Sequence, residues 1–263
     1  MGERKKYHRG RRKKKKGGII STLILIIAIA VFCVSGYQLY KIFGGYHQGK
    51  SEYDKVREVA VHGDDKDEDE FVVDFDELKK INADTGGWIR FYPEPSQISY
   101  PLVQTTDNDL YLNRTFSANE NTVGAIFVNC DNASDFSDRN TIIYGHRMMD
   151  HSMFHDLEKY KDESFWKENP YFYIYTPDGR KLSCHIYSAG IVKDTSSTYL
   201  TQFASDEEYQ AFLDDTKRAG AYHTGVEVTT DQRVVTLSTC TAASDDNRMV
   251  VRGVIESEDV VKK

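Results

Sequence analysis

The stretch that decides the fold is "RVVTLSTCTAASDDNRMVVRG", residues 233–253. Two apolar runs rich in β-branched residues flank a polar hinge, a pattern that predicts two neighbouring strands. The first strand ends at Cys240, and the second begins with Arg248. If the strands pair, Arg248 lies level with the end of the first strand, whereas Arg252 lies about 13 Å further along the same face. Arg248 is therefore the better partner for the thiol.

Cys240 is a candidate nucleophile. It is flanked by the small polar residues Ser238, Thr239 and Thr241, at a strand-to-loop boundary of the kind that carries active-site residues. A thiol reacts as its thiolate, so a nearby cation or base is needed to lower its pKa. The alternative is a buried structural cysteine, which is the default for an arbitrary cysteine, although such a cysteine usually lies inside an apolar run.

His146, like Cys240, stands at a strand-to-loop boundary. It ends the apolar run "NTIIYGH", residues 140–146, and polar residues follow it. His151, His155, His185 and His223 are expected to be surface or packing residues. The order His, Cys, Arg argues against papain-like proteases, in which the cysteine comes first.

The rest of the chain from residue 71 is dominated by short runs of Tyr, Val, Ile and Thr, including 226–230 ("VEVTT"), with turn residues between them. Helices are expected over 74–84, 152–169 and 205–220, the last with a capping box of Ser205 and Glu208. This pattern predicts a mostly β fold with peripheral helices, either a barrel or a sandwich.

The N-terminal region has a different composition. Residues 1–16 carry a net charge of +9, although the whole chain carries −7, and residues 17–40 contain no charged side chain. These 24 residues exceed the roughly 20 needed for a helix to cross a bilayer. A cleaved signal peptide has a shorter apolar core, and the "AVFC" ending at Cys33 has the bulky Phe32 where lipoprotein cleavage needs a small residue. We expect an uncleaved single-pass signal anchor, with the N-terminus in the cytoplasm and the remainder extracellular.

The domain boundaries follow from these patterns. Residues 1–16 form a cytoplasmic basic tail, which contacts the membrane rather than nucleic acid, and 17–43 form the transmembrane helix. Residues 44–70 are expected to be an extracellular stalk because they end in an acidic run, and 71–258 form the folded domain. The four cysteines include no CxxC pair, so no metal site is expected, and whether Cys130 and Cys184 are bonded stays open.

Several segments resemble class B sortases. "TLSTC" at 236–240 resembles the sortase nucleophile signature, and "NTIIYGH" resembles the strand that carries the sortase histidine. "YPLVQTTDNDLYLN" and the helical segment "YQAFLDDTKRAG" are similar to class B members in particular. The resemblance covers roughly 71–256 and implies an eight-stranded sortase-type β-barrel preceded by the transmembrane helix.

The resemblance implies a membrane-anchored cysteine transpeptidase without a cofactor. Such an enzyme cleaves a secreted protein after Thr in an NPxTN-like or LPxTG-like sorting motif and passes it to an amine of the peptidoglycan precursor lipid II. Cys240 would be the nucleophile, His146 the acid and base, and Arg248 the oxyanion-stabilising group. The resemblance also implies that the substrate groove is lined by Asn108, Leu112, Thr195, Tyr199, Leu200 and Ser238.

Three other functions fit parts of the pattern. A membrane-tethered thiol hydrolase on the same fold would use the same cysteine and histidine but release an acid. A pilin-polymerising sortase would have pilins as its substrates. A surface-binding module without catalysis would leave Cys240 structural.

Overall fold

The computed structural model describes residues 18–63, 70–242, 244 and 246–261. The basic tail over 1–16 and most of the acidic run, 64–69, lie outside the described residues, and so do Ala243 and Asp245. The chain divides into two units, residues 1–44 and 45–263.

Helix α1 spans Gly18–Ala60. In the part of the chain that the structure describes, it is the one helix long and apolar enough to cross a membrane, and its most apolar 18 residues have a mean hydropathy of 2.4. This finding is compatible with the predicted membrane anchor.

The second unit is a β-barrel. Its described strands are β1 (Val61–His62), β2 (Val72–Val73), β3 (Thr85–Phe91), β4 (Ser99–Val103), β5 (Ile126–Val128), β6 (Asn140–Tyr144), β7 (Tyr171–Tyr175), β8 (Arg180–Lys193), β9 (Val234–Cys240) and β10 (Asn247–Val260). Strands β1 and β2 form a separate antiparallel pair, and the other eight close in the order β10-β8-β7-β3-β4-β5-β6-β9. The predicted eight-stranded barrel is therefore confirmed.

Two pairs of neighbouring strands in the barrel are parallel, β4 with β5 and β6 with β9. The second pair closes the barrel and runs from Asn140 beside Val234 to Tyr144 beside Ser238. Because parallel strands end at the same edge of a sheet, the residues that follow β6 emerge beside the end of β9.

The core has two layers, which explains why β9 is buried on both faces. Val235 and Leu237 point into the barrel and join the main core, whereas Val234 belongs to an outer cluster. That outer cluster includes Tyr209, Phe212 and Leu213 of helix α4 (Asp206–Arg218). Alternate residues of a strand face opposite sides, so one strand contributes to both layers.

The described residues also form helices α2 (Phe75–Ile81) and α3 (Glu163–Glu168), and short 3₁₀-helices cover Leu110–Leu112, His155–Lys161 and Ser197–Tyr199. The Asp74 carboxylate caps α2 by accepting from the backbone N–H groups of Asp76 and Glu77, both at 3.0 Å.

The helix predicted over 152–169 is instead a 3₁₀-helix followed by α3, because Asp162 caps a new helix by accepting from the Ser164 N–H at 2.9 Å. The strand predicted over 226–230 is wrong: these residues form no strand, and Val228 is buried in the outer cluster.

Residues 45–60 do not form the predicted extracellular stalk. They continue helix α1, and Tyr53, Val56 and Ala60 are buried in the main core. The Tyr53 hydroxyl donates to the Gly124 carbonyl at 2.7 Å and accepts from the Phe116 N–H at 3.2 Å. The compact unit therefore begins at Gly45, because burial of one helix face outweighs the polar composition of the segment around it.

Candidate active site

Cys240 is the last residue of β9, and Arg248 faces it directly. The two residues are Cα partners in the antiparallel register of β9 and β10. Residues Val234–Thr239 are buried, whereas Cys240 is exposed. Side chains of directly opposed residues lie on the same face of a sheet, so the thiol and the guanidinium share one side of the barrel rim.

The other thiols are in less reactive surroundings. All four cysteines are free, so Cys130 and Cys184 are not bonded to each other. Cys184 is fully buried, and this burial raises its pKa far above the ordinary value. Partial burial, with the nearby charge of Asp131, also raises the pKa of Cys130. Both thiols therefore hold their protons more firmly than a free cysteine does.

The Arg248 guanidinium is held at the rim by contacts that include Asp194 and Asn247. One nitrogen, Nη2, lies 3.6 Å from the Asp194 carboxylate, and Nη1 donates to the Asn247 carbonyl at 3.2 Å. The Asp194 N–H donates in turn to the Asp246 carbonyl at 3.0 Å, which ties the end of β8 to the start of β10. The guanidinium is thus oriented by the protein and partly open to solvent.

Arg252 has a different environment. It pairs in register with Thr236 and is fully buried. Its Nη2 donates to the Thr198 hydroxyl at 2.7 Å, and its Nη1 donates to the Ser188 hydroxyl at 3.1 Å. Burial lowers the pKa of this guanidinium, and its position fastens the 197–199 turn to the barrel wall. Arg252 is therefore a packing residue, whereas Arg248 is at the rim.

His146 follows β6 at the same rim. The Gly145 N–H donates to the Ser238 carbonyl at 3.2 Å, which extends the parallel pairing of β6 with β9 by one residue. The His146 ring donates from Nε2 to the Leu112 carbonyl at 2.7 Å. This bond fixes the ring orientation and places the proton of the neutral ring on Nε2.

Gly124 packs against the His146 ring. A Cβ atom at residue 124 would lie 2.7 Å from His146 Cδ2 and 2.9 Å from the Leu112 carbonyl oxygen. The backbone at Gly124 has φ +65°, which also favours glycine. A side chain here would therefore displace either the ring or its acceptor.

One cavity of about 240 Å³ brings the three predicted catalytic residues together. Its walls are formed by Asn108, Leu112, Phe127, Tyr144, Gly145, His146, Ser238, Thr239, Cys240 and Arg248. Three of the predicted substrate residues, Asn108, Leu112 and Ser238, are among them. Asn108 is fixed in place, since its Nδ2 donates to Asn129 Oδ1 at 3.1 Å and its Oδ1 accepts from the Cys130 N–H at 2.9 Å.

The predicted residues of the 195–200 segment lie at or outside the edge of this cavity. Tyr199 reaches it indirectly, through a 2.9 Å hydrogen bond between its hydroxyl and that of Ser238. Its ring stacks on Tyr144, with centroids 6.3 Å apart. Burial raises the pKa of both phenols, that of Tyr144 to about 12, so both stay neutral hydrogen-bonding groups. Thr195 and Leu200 are exposed and are not among the lining residues.

Several residues of the site were not predicted from the sequence. Tyr144 lies two residues before His146 on the same strand face, so alternation along "NTIIYGH" is a signal that could have identified it. Phe127 and Thr239 line the cavity, Gly124 packs on the histidine, and Asp194 pairs with Arg248. The last two act across long sequence separations and carry no local signal.

Comparison with known proteins identifies one family. A sortase domain model matches residues 95–256. Sortase B of Staphylococcus aureus (strain NCTC 8325 / PS 47) is 30% identical over 231 residues, which cover 88% of this chain and 93% of that protein. Sortase B of Listeria monocytogenes serovar 1/2a (strain ATCC BAA-679 / EGD-e) is 31% identical over 242 residues, covering 88% and 94%.

The fold agrees with the same family. The solved Staphylococcus aureus sortase B–substrate complex superposes with a TM-score of 0.65 at 34% identity, and the alignment covers 72% of this chain and 85% of that one. The closed eight-stranded barrel, the matching domain model and the relatives agree with one another. The chain therefore belongs to the sortase family and is a sortase-type transpeptidase.

Proposed function

We propose that this chain is a class B sortase that cleaves a sorting motif after its Thr residue and joins the new carboxyl end to an amine of a cell-wall precursor. The observation that carries the proposal is the single cavity lined by Cys240, His146 and Arg248. The relatives at about 30% identity are both sortase B proteins, which favours class B. A sortase B with similar structure has been solved with its substrate.

In the first half-reaction, the Cys240 thiol gives its proton to the neutral His146 ring, and the resulting thiolate sulfur attacks the carbonyl carbon of the Thr residue in the motif. The C–N bond of the resulting tetrahedral intermediate breaks, and His146 donates a proton to the leaving amine. The products are a thioester between Cys240 and the substrate and a free C-terminal peptide.

Arg248 stabilises the oxygen that becomes negative in this step. The Thr241 N–H, next to the nucleophile, already donates to the Asn247 carbonyl at 3.3 Å. The guanidinium fork facing Cys240 offers N–H donors to this oxygen, and its ion pair with Asp194 orients it before the substrate arrives.

In the second half-reaction, an amine attacks the thioester carbonyl. His146 takes the proton of the amine, the C–S bond breaks, and Cys240 leaves as a thiolate, so that one new amide is formed. We propose the peptidoglycan precursor lipid II as the donor of this amine. Asn108, Leu112 and Ser238 would contact the motif inside the cavity, and Thr195, Tyr199 and Leu200 would contact it from the neighbouring 195–200 segment.

We further propose that α1 anchors the enzyme in the cell membrane with the N-terminus in the cytoplasm and the barrel outside. The charge of +9 in residues 1–16 supports this orientation, because Lys and Arg stay on the cytoplasmic side. An external barrel would meet both secreted substrates and lipid-linked precursors at the membrane surface.

The experiment is product analysis by mass spectrometry. The enzyme is incubated with peptides that contain an NPxTN-like or an LPxTG-like motif, with and without triglycine as the acceptor amine. A new amide to triglycine supports the transpeptidase, whereas the free acid alone in the presence of triglycine supports a hydrolase. No cleavage of either peptide contradicts the proposed function.

Matched variants assign the nucleophile. Cys240→Ala is expected to abolish the thioester, which is detected as an increase in protein mass after incubation with the motif peptide. Cys130→Ala, at the other partly exposed thiol of the barrel, is the control and should leave turnover unchanged. If Cys130→Ala lost the thioester and Cys240→Ala kept it, the nucleophile would be Cys130 and not Cys240.

A further inference from the structure

Three metal-ligating side chains meet in the loop that follows His146. His151, His155 and Asp156 each offer a ligand atom, and these atoms all lie within 4.8 Å of one another. His151 Nδ1 is 3.2 Å from Asp156 Oδ1, and the two imidazole rings have centroids 4.0 Å apart. None of these three residues lines the cavity of Cys240.

Two of the three residues are held in place by the protein. His155 is buried, and its Nδ1 donates to the Met148 carbonyl, which leaves the lone pair on Nε2. Histidines that bind metals commonly donate their second ring nitrogen to a backbone carbonyl in this way. The Asp156 side chain is 3% exposed, so its carboxylate is an acceptor taken out of water.

Lys159 is the existing partner of this carboxylate. Its Nζ lies 2.9 Å from Asp156 Oδ2, the oxygen that does not face His151. The lysine side chain is 42% exposed. It can stay on the second oxygen or move into solvent, and in either case Oδ1 stays directed at the histidines.

The spacing fits a small transition-metal ion. Zn²⁺ binds nitrogen and oxygen ligands at about 2.0–2.1 Å in a tetrahedron, so neighbouring ligand atoms are about 3.3 Å apart. His151 Nδ1 and Asp156 Oδ1 already have this separation. Small rotations of the His151 ring would bring its ligand atom nearer to that of His155, and the ring is able to rotate because its side chain is 65% exposed.

We propose that His151, His155 and Asp156 bind one divalent transition-metal ion of the Zn²⁺ type, with water completing the coordination. Two imidazoles and one carboxylate are a ligand set that such ions favour over Ca²⁺ or Mg²⁺. His151 also lines an open cleft of about 660 Å³, which gives an ion a path from solvent.

The site is joined to the catalytic histidine through the backbone. The Phe154 N–H donates to the His146 carbonyl at 2.9 Å, and Arg147 and Met153 form a β-bridge. An ion bound at 151, 155 and 156 would tie the far end of this loop together. The metal therefore restrains the segment that begins at His146, without entering the reaction.

The test uses the full-length chain in detergent, without an affinity tag, and carrying Cys240→Ala so that the active-site thiol cannot bind the metal. Zn²⁺ binding is measured by isothermal titration calorimetry, and Co²⁺ is added separately as a spectroscopic probe. We expect one ion per chain, a visible Co²⁺ absorption typical of four- or five-coordination, and a higher melting temperature with Zn²⁺.

His151→Asn is the decisive variant, because asparagine tolerates the left-handed backbone of residue 151, which has φ +65°. We expect it to weaken Zn²⁺ binding at least about tenfold and to abolish the rise in melting temperature. His223→Asn, at an exposed histidine outside the cluster, is the control and should bind as the parent does. Absence of binding in the parent, or equal binding in the parent and His151→Asn, would overturn the proposal.

Discussion

The guanidinium of Arg248 and the thiol of Cys240 are side by side because their residues are register partners in β9 and β10. Arg252, four residues along the same strand, is instead surrounded by Ser188, Thr198 and Thr216. Two arginines on one strand face thus have different tasks. Their separation along the strand decides which of them can reach a substrate.

Arg248→Lys tests whether the guanidinium stabilises the oxyanion. Lysine keeps the charge but lacks the planar fork that can hold an oxyanion and stay bonded to Asp194. We expect kcat/KM to fall at least about 100-fold, and Arg248→Ala to lose somewhat more. Steady-state kinetics of motif-peptide cleavage measure this loss. Arg139→Lys, in a surface ion pair with Asp206, is the control, and full activity in Arg248→Ala would refute the assigned role.

Gly124→Ala tests the packing behind the histidine. The new Cβ would lie 2.7 Å from His146 Cδ2, so we expect the ring to shift and kcat to fall at least about tenfold. Gly225→Ala is a matched control, since Gly225 also has positive φ, +76°, but an added Cβ would meet nothing within 4 Å. Both variants carry the backbone strain, so the difference in their kcat values reports the contact of the new Cβ with the His146 ring and with the neighbouring carbonyls of Tyr111 and Leu112. Equal kcat values would show that this contact does not matter.

At the scale of elements, residues 45–60 of α1 belong to the catalytic unit. Tyr53 bonds to the carbonyl of Gly124, the residue on which the His146 ring packs. Glu52 accepts from the Ser117 N–H and from Asn119 Nδ2, both at 3.0 Å. This helical segment therefore supports the loop behind the catalytic histidine.

Glu52 makes this contact dependent on pH. Burial raises the pKa of its carboxyl, but hydrogen bonds from Thr115, Asn119 and Ser117 outweigh burial and leave the pKa below its ordinary value of 4.5. A depressed pKa in the folded state means that the carboxylate stabilises the fold above about pH 4.5 and that this contribution is lost as the pH falls through the folded-state pKa.

We therefore expect acidification from pH 7 to pH 3.5 to lower the urea midpoint less in Glu52→Gln than in the parent protein. Glu58→Gln, at an exposed residue of the same helix, is the control with the same change of charge. Midpoints that fall equally in the parent and Glu52→Gln would contradict the role of this carboxylate.

At the scale of the whole molecule, the compact unit starts at Gly45 rather than near Phe71. A fragment of residues 71–263 lacks Tyr53, Val56 and Ala60, which are buried in the main core. Burial of such side chains stabilises a fold by about 1.5–3 kcal/mol for each large one. We expect fragment 71–263 to lose at least about 3 kcal/mol of unfolding free energy relative to fragment 45–263. Urea denaturation followed by circular dichroism measures this difference, and equal midpoints would restore the stalk interpretation of 45–60.

The sequence allowed most of the barrel and the candidate site to be predicted, for local reasons. Strand alternation and turn residues are local signals, and Cys240, Arg248 and His146 each stand at a strand end. The packing of 45–60 was not predictable, because its partners Phe116 and Gly124 lie more than 60 positions away. Residues 226–230 have strand propensity, yet the outer cluster around α4 buries Val228 without any strand pairing. Tertiary packing outweighed local preference in both places.

The parallel pairing of β6 with β9 joins residues 94 positions apart, from Asn140 beside Val234 to Tyr144 beside Ser238. Contacts of such high contact order form late, since the chain must pay the entropy of closing a long loop before they stabilise it. His146 and Cys240 share a cavity only after this closure. An incompletely folded chain therefore carries a thiol without its acid–base partner, and enzymatic activity itself becomes an assay for completed folding.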